Sequence, residues 1–195
     1  MKTVIVYAHP WDGSFNAAVL DHLRQGLLMG GHECEVIDLY KEKFNPVFSQ
    51  KELALYNKGE FLDKKIWEYQ IKIKECDLLF FVYPVWWGFM PAILKGFIDK
   101  VFLKKWAYDT GPDGKVYGQL GFIKKCYVMT SMNTPCFFYH FFIRFVNWYL
   151  LKANLFKLCG ISQVKVFSFC SVVKAGDKKR KKYLAALHSL GSRLK

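Results

Sequence analysis

The chain has 195 residues, 52% of them hydrophobic and 18% aromatic, which is ample for a large core within a single domain spanning residues 1–195. No secretory leader is visible, and the six cysteines form no CxxC pair and no zinc-ligand spacing with histidine; reduced core thiols, no metal and a cytoplasmic location are expected. The net charge of +13 is unevenly placed, with 10 Lys/Arg against 12 Asp/Glu in residues 1–83 and 19 against 4 in residues 84–195. That asymmetry points to an anionic partner, a phosphorylated cofactor or a membrane lipid, whereas nucleic acid is set aside because no RNA-recognition signature or zinc-finger spacing accompanies it.

Lys2–Tyr7 is short, apolar and β-branched, and reads as a first strand. A helix follows over Phe15–Met29, stopped by Gly30-Gly31, and Glu33–Asp38 is a second strand. Residues 39–49 read as a loop with Asn45-Pro46 as breaker, and 50–76 has helical spacing interrupted near Gly59. Asp77–Tyr83 is apolar on both faces, as a central parallel strand is. Pro91–Phe102 reads as a helix with proline in its first turn. The glycine-containing segment 106–121 reads as a loop, and Lys125–Thr130 as a fourth strand. A long aromatic helical region over Phe137–Leu158 closes at Gly160. Its apolar run is too short and too interrupted by His140, Arg144 and Asn147 for a membrane span. Gln163–Phe169 is a fifth strand and Asp177–Arg193 the last helix, whose Lys178-Lys179-Arg180-Lys181-Lys182 start reads as a solvated basic face. Five strands alternating with helices imply a parallel, doubly wound sheet covered on both faces.

In such sheets the ligand lies beyond the C-terminal strand ends, at the topological switch point. That rule selects the loops after strands one, three and four, and each has an unusual composition. The first, Ala8-His9-Pro10-Trp11-Asp12-Gly13-Ser14-Phe15-Asn16, places an imidazole, a glycine and a hydroxyl just before a helix N-terminus, where unpaired N–H groups suit a phosphate; an ordinary turn with a serine cap is the competing reading. The second, Tyr83-Pro84-Val85-Trp86-Trp87-Gly88-Phe89-Met90-Pro91, sets adjacent tryptophans at a strand end, where a flat ring can lie against them. The third is Thr130-Ser131-Met132-Asn133 with Thr134-Pro135. Neither GxGxxG nor a Walker A motif is present, so the site reads as built for one phosphate and a flat ring, as in flavin mononucleotide.

Together, Ala8-His9-Pro10 with Ser14-Phe15-Asn16, Pro84-Val85-Trp86-Trp87-Gly88, and Pro91 through Phe102 resemble the NAD(P)H:quinone oxidoreductase family, over most of the chain and in the same order. The resemblance implies a flavodoxin-like three-layer sandwich with a five-stranded parallel sheet in the order 2-1-3-4-5. It also implies bound FMN or FAD, NAD(P)H as donor, a quinone or related small-molecule acceptor, and a homodimer. By position, His9, Ser14, Phe15 and Asn16 would hold the flavin phosphate and ribityl region, and Pro84, Val85, Trp86, Trp87 and Gly88 would line the isoalloxazine, with Trp106-Ala107-Tyr108 beside them. Thr130, Ser131, Met132 and Asn133 stand where the family's Thr-Thr-Gly-Gly stretch approaches the ring, a departure that puts the local geometry in question. Tyr139 and His140 are the candidates for orienting substrate or donating a proton. The shorter chain compared with the mammalian enzymes favours FMN. A flavodoxin-type electron carrier and a flavin-binding accessory subunit of a membrane or protein partner are the alternative readings.

Overall fold

The computed structural model describes residues 1–143 and 149–195; the side chains of residues 140, 143, 149, 150 and 153 lie outside that description. Strand β1 (Lys2–Tyr7) is flanked by parallel partners, β2 (Glu33–Asp38) on one side and β3 (Leu78–Pro84) on the other, and it is buried on both faces because helices cover both sides of the sheet. Strands β4 (Tyr108–Thr110) and β5 (Val116–Gly118) form a small antiparallel hairpin outside the main sheet, where the sequence suggested only a loop. β3 continues through β6 (Lys125–Ser131) to β7 (Val164–Phe169), giving the order β2-β1-β3-β6-β7. Counted over the five parallel strands alone, this is the expected 2-1-3-4-5 order of a flavodoxin-like sheet.

Alternation along β1 divides the core. Ile5 and Tyr7 face a cluster with Leu23, Leu27, Phe80, Val82, Tyr127 and Leu187, roofed by helices α1 (Phe15–Met29) and, near the C-terminus, Asp177–Arg193. Val4 and Val6 face the opposite cluster with Phe81, Leu94, Phe97 and Val128. The segment read as one interrupted helix is α2 (Gln50–Leu55), a 3₁₀ turn ending at the left-handed Gly59, and α3 (Lys64–Lys74). A capping box between Ser49 and Glu52 starts α2, and Asp63 caps α3. Helix α4 (Ala92–Val101) packs on the same face, and its Lys100 is almost fully buried. The Lys100 ammonium pairs with Glu52 at 2.7 Å and donates to the carbonyls of Asn45 and Val47, pinning the loop before α2 onto α4. The aromatic region opens as a helical turn, α5 (Cys136–Phe138), and continues in wider π-helical turns over Tyr139–Ile143 and Tyr149–Lys157.

The final helix, α6 (Asp177–Arg193), crosses α1 so closely that both carry a glycine at the contact. A Cβ at Gly191 would stand 2.7 Å from the Leu27 amide nitrogen, and one at Gly26 would meet the His188 carbonyl. A glycine inside a helix costs about 1 kcal/mol of propensity relative to alanine, and here it permits the backbone approach that closes the α1–α6 layer.

Candidate functional site

β1 delivers the chain to the C-terminal edge of the sheet, where the first loop turns into α1. Ser14 is the N-cap: its backbone is extended and its hydroxyl accepts from the Ala17 amide at 3.1 Å. The first-turn amides of Phe15 and Asn16 have no acceptor within the helix, and no acidic side chain occupies that turn, so the positive helix end is left for an anion. His9 precedes it. Its Nδ1 accepts from the Trp11 amide at 3.1 Å, which assigns the ring proton to Nε2. Burial of the ring holds its pKa below the ordinary histidine value, so at neutral pH it is an uncharged donor.

Asn16, in the first turn of α1, reaches past the switch point between β1 and β3 to the end of β6. Its Nδ2 donates to Ser131 Oγ at 2.8 Å, joining the start of α1 to the end of β6, 115 residues apart. Its Oδ1 is buried with no hydrogen-bond partner among the described residues. A buried acceptor left unsatisfied costs about 1–3 kcal/mol, so this position is set up for a donor that the protein itself does not supply.

After β3 the chain makes a two-residue hairpin. Trp86 and Phe89 exchange backbone hydrogen bonds of 2.9 and 3.0 Å, and Trp87 and Gly88 between them have φ of +50° and +79°. Two successive positive φ values define the tight turn that matches strand twist. Glycine adopts this readily, but an L-residue such as Trp87 pays roughly 1–2 kcal/mol. The Trp87 side chain is fully solvent-exposed, while Trp86 folds back to within 6.0 Å of the His9 ring. The central amides of the turn, at Trp87 and Gly88, take no part in the hairpin pair. Val85 is pinned by its own amide to the Ser131 carbonyl at 2.8 Å.

The loop after β6 anchors each polar side chain. Thr130 turns away from the cleft and donates to Ser168 Oγ at 2.9 Å, and Ser168 donates to the Tyr139 hydroxyl at 3.1 Å. Met132 packs with Tyr139 and Cys170. Asn133 Oδ1 accepts from the Val173 amide at 3.1 Å, leaving the Asn133 NH₂ as the donor end of that amide.

These loops enclose an open cleft of about 280 Å³. Its lining brings together His9, Ser14, Phe15, Asn16, Pro84, Val85, Trp86, Ser131, Met132 and Asn133. Four expected residues are placed elsewhere: Trp87 and Gly88 at the tip of the turn, Thr130 in the hydroxyl chain beneath, and Tyr139 buried behind Met132. The His140 side chain lies outside the described residues. Trp106 packs edge-on against Phe102, and the Tyr108 hydroxyl meets that of Tyr56 at 2.7 Å; neither lines the cleft. Three lining residues were missed: Trp11, Val172 and Val173. Trp11 sits inside the first loop and was legible by position. Val172 and Val173 follow β7, and their place depends on the Ser171 and Val172 amides bonding to the carbonyls of Thr134 and Met132.

Residues 1–192 match the family model described as the flavodoxin-like fold. A Haemophilus influenzae protein named an uncharacterised NAD(P)H oxidoreductase is 32% identical over 182 residues, 93% of this chain and 89% of that one. Among solved structures, an NAD(P)H:quinone oxidoreductase from Methanothermobacter marburgensis superposes with a TM-score of 0.90 at 28% identity, over 100% of this chain and 99% of that one. A Streptococcus mutans protein of solved structure gives 0.87 at 33% identity, with both chains covered in full.

Proposed function

The chain belongs to the flavodoxin-like fold family, and from that premise we propose that it is a flavin-dependent NAD(P)H oxidoreductase that reduces quinones or related acceptors by two-electron hydride transfer. The named relatives support the reaction class. The observation that carries the flavin is the unpaired buried Asn16 Oδ1, set in a cleft between a bare helix N-terminus and an aromatic hairpin. A ribityl hydroxyl is a donor of the kind that oxygen lacks, and a single phosphate suits the amides of Phe15 and Asn16. We take FMN rather than FAD because the cleft offers a single bare helix N-terminus, which suits one phosphate.

Bound there, the flavin would supply the hydride exchange between NAD(P)H and acceptor. The protein's part is binding and charge. Uncharged His9 offers Nε2–H without adding a mobile charge beside the phosphate end. Trp86 and Val85 give the ring an apolar wall held by backbone bonds on both sides. The Trp87 and Gly88 amides and the Asn133 NH₂ are the fixed donors assigned to the ring's polar edge, where negative charge develops on reduction. Tyr139, locked to Ser168 and Thr130, acts as a positioning residue that supports Met132 and the β6 loop. A homodimer is the assembly that goes with this reading, and light scattering after gel filtration would give its mass.

The test is the visible spectrum of purified protein, reconstituted with FMN and then treated anaerobically with NADPH. A yellow protein that bleaches and recolours on adding a quinone is expected. Failure to bind FMN or FAD would overturn the cofactor, and bound flavin that resists NADPH would overturn the reductase.

A further inference from the structure

Two of the six cysteines meet as thiols. Cys136 opens α5 and Cys170 follows the last residue of β7, so their spacing along the chain gives no sign of the pair. Backbone pairing brings them together. The Met132 amide donates to the Phe169 carbonyl at 2.9 Å, the Ser171 amide to the Thr134 carbonyl at 3.2 Å, and the Val172 amide to the Met132 carbonyl at 3.1 Å. Residues 132–134 therefore run beside 169–172. Ser171 holds a φ of +56°, a conformation that an L-residue keeps only where its surroundings fix it. Cys170 sits in a small cluster with Met132 and Tyr139, and Cys136 packs against that cluster. The two thiols are hydrogen-bonded to each other.

The partners differ in access. Cys170 is buried, and burial, followed by the hydrogen bond with Cys136, pushes its thiol up to about 12, while the Lys179 ammonium opposes the shift. Cys136 is half-buried and is the sulfur that a small oxidant meets first. The other thiols lack this arrangement. Cys76 and Cys126 also stand near each other, but both are sealed in the core, as is Cys159. Half-buried Cys34 has a hydroxyl for its neighbour, that of Thr3.

We propose that Cys136 and Cys170 form a reversible dithiol–disulfide pair in the wall of the cleft, closed by a peroxide and reopened by a dithiol. Cys136 attacks the peroxide: an S–O bond forms, the O–O bond breaks, and the departing hydroxide leaves as water with the Cys136 proton. Cys170 then attacks that sulfur: the S–S bond forms, the S–O bond breaks, and a second water leaves with the Cys170 proton. The two sulfurs give up two electrons and the peroxide takes both. A dithiol reverses the change by exchange and becomes the disulfide itself. Both sulfurs belong to one chain and are already in contact, so the step uses no exposed face and is the same in a monomer or a dimer. The bridge fastens the loop of Met132 and Asn133 to the segment of Val172 and Val173, all of which line the cleft. It forms without flavin; where the flavin reading holds, it fixes one wall of the cofactor site.

The experiment treats the reduced full chain with a small molar excess of hydrogen peroxide, blocks the remaining thiols with N-ethylmaleimide, and maps the digest by mass spectrometry before and after dithiothreitol. A peptide joining Cys136 to Cys170, lost again on reduction, is expected. The bridged protein should melt about 5–15 °C higher, because closing the 136–170 loop restricts the unfolded chain. Cys136→Ser should abolish the bridge. Cys170→Ser should leave a sulfenic acid on Cys136 that dimedone traps, and Cys34→Ser should bridge as the native chain does. No bridge, a bridge through another cysteine, a disulfide between two chains, or a bridged protein that melts no higher than the reduced one would each overturn the proposal. FMN titration of the reduced protein reports on the flavin reading separately.

Discussion

Asn16→Ala separates what the fold needs from what the ligand needs. In the free protein the substitution removes one hydrogen bond to Ser131, worth about 1 kcal/mol net, and leaves a small polar gap. It also removes a buried acceptor with no partner, a liability of about 1–3 kcal/mol, and it improves helix propensity by roughly half a kcal/mol. The sum lies near zero or slightly toward stability, a change in melting temperature of no more than about 4 °C for a chain of this size. Ser131→Ala is the contrast. It leaves the Asn16 NH₂ unpaired as well, so the free protein should lose about 1–3 kcal/mol. Flavin reverses the order of importance. Losing one preorganised acceptor should weaken FMN about tenfold, which is about 1.4 kcal/mol. At a hundredfold excess over the native Kd, FMN stabilises by about 2.7 kcal/mol, and the variant would keep about half of that. Thermal melts with and without FMN, and fluorescence titration of FMN, give all these quantities. Loss of more than about 2 kcal/mol in free Asn16→Ala, or an unchanged FMN affinity, would refute the reasoning.

Lys100→Ala should cost about 3–5 kcal/mol, because it strands the Glu52 carboxylate and two loop carbonyls, while Lys100→Met with Glu52→Leu should recover most of the loss; urea melts of the cycle check this. Gly26→Ala should destabilise by at least about 1–3 kcal/mol despite better helix propensity, since the added methyl meets the His188 carbonyl, and a rise in midpoint would contradict the close crossing. His9 titrates below its ordinary value because its ring is desolvated, so its contribution is present above about pH 6.5 and is lost as pH falls through the lowered value. Stability should therefore be flat from about pH 7 to 8 and fall on acidification, as thermal melts across pH would show. His9→Gln should flatten that profile.

Much of the architecture lay in local chemistry. The β-branched and apolar runs at Lys2–Tyr7 and Leu78–Pro84, the serine before Phe15 and the Gly30-Gly31 stop state their own structures, because strand burial and helix capping are short-range effects. Their alternation fixed a parallel sheet, and the sheet's crossover rule directed attention to the right loops. What sequence left open required distant backbone to meet. The β4–β5 hairpin is held against the rest of the chain, with Gly118 packed on the backbone of Gly160, and nothing within residues 106–121 announces that contact. The glycine in the middle of α1 looks like a defect until α6 arrives beside it.

The site divides in the same way. Its motifs were legible because a helix N-terminus and a paired-tryptophan turn carry their chemistry in consecutive residues. Which side chains share the cleft was settled by pairing across the sheet: Asn16 with Ser131, and the Val172 amide with the Met132 carbonyl. Alternation within β6 and the hydroxyl chain through Ser168 then sent Thr130 and Tyr139 beneath the floor, and the positive φ of Trp87 and Gly88 carried that turn to the rim. Sequence thus determined the elements, their order and the loops that bear the chemistry, because those depend on periodicity and caps. The tertiary structure alone decided which atoms are spent on one another and which, like Asn16 Oδ1, are left over, because that accounting closes only when groups more than a hundred residues apart come within hydrogen-bond reach.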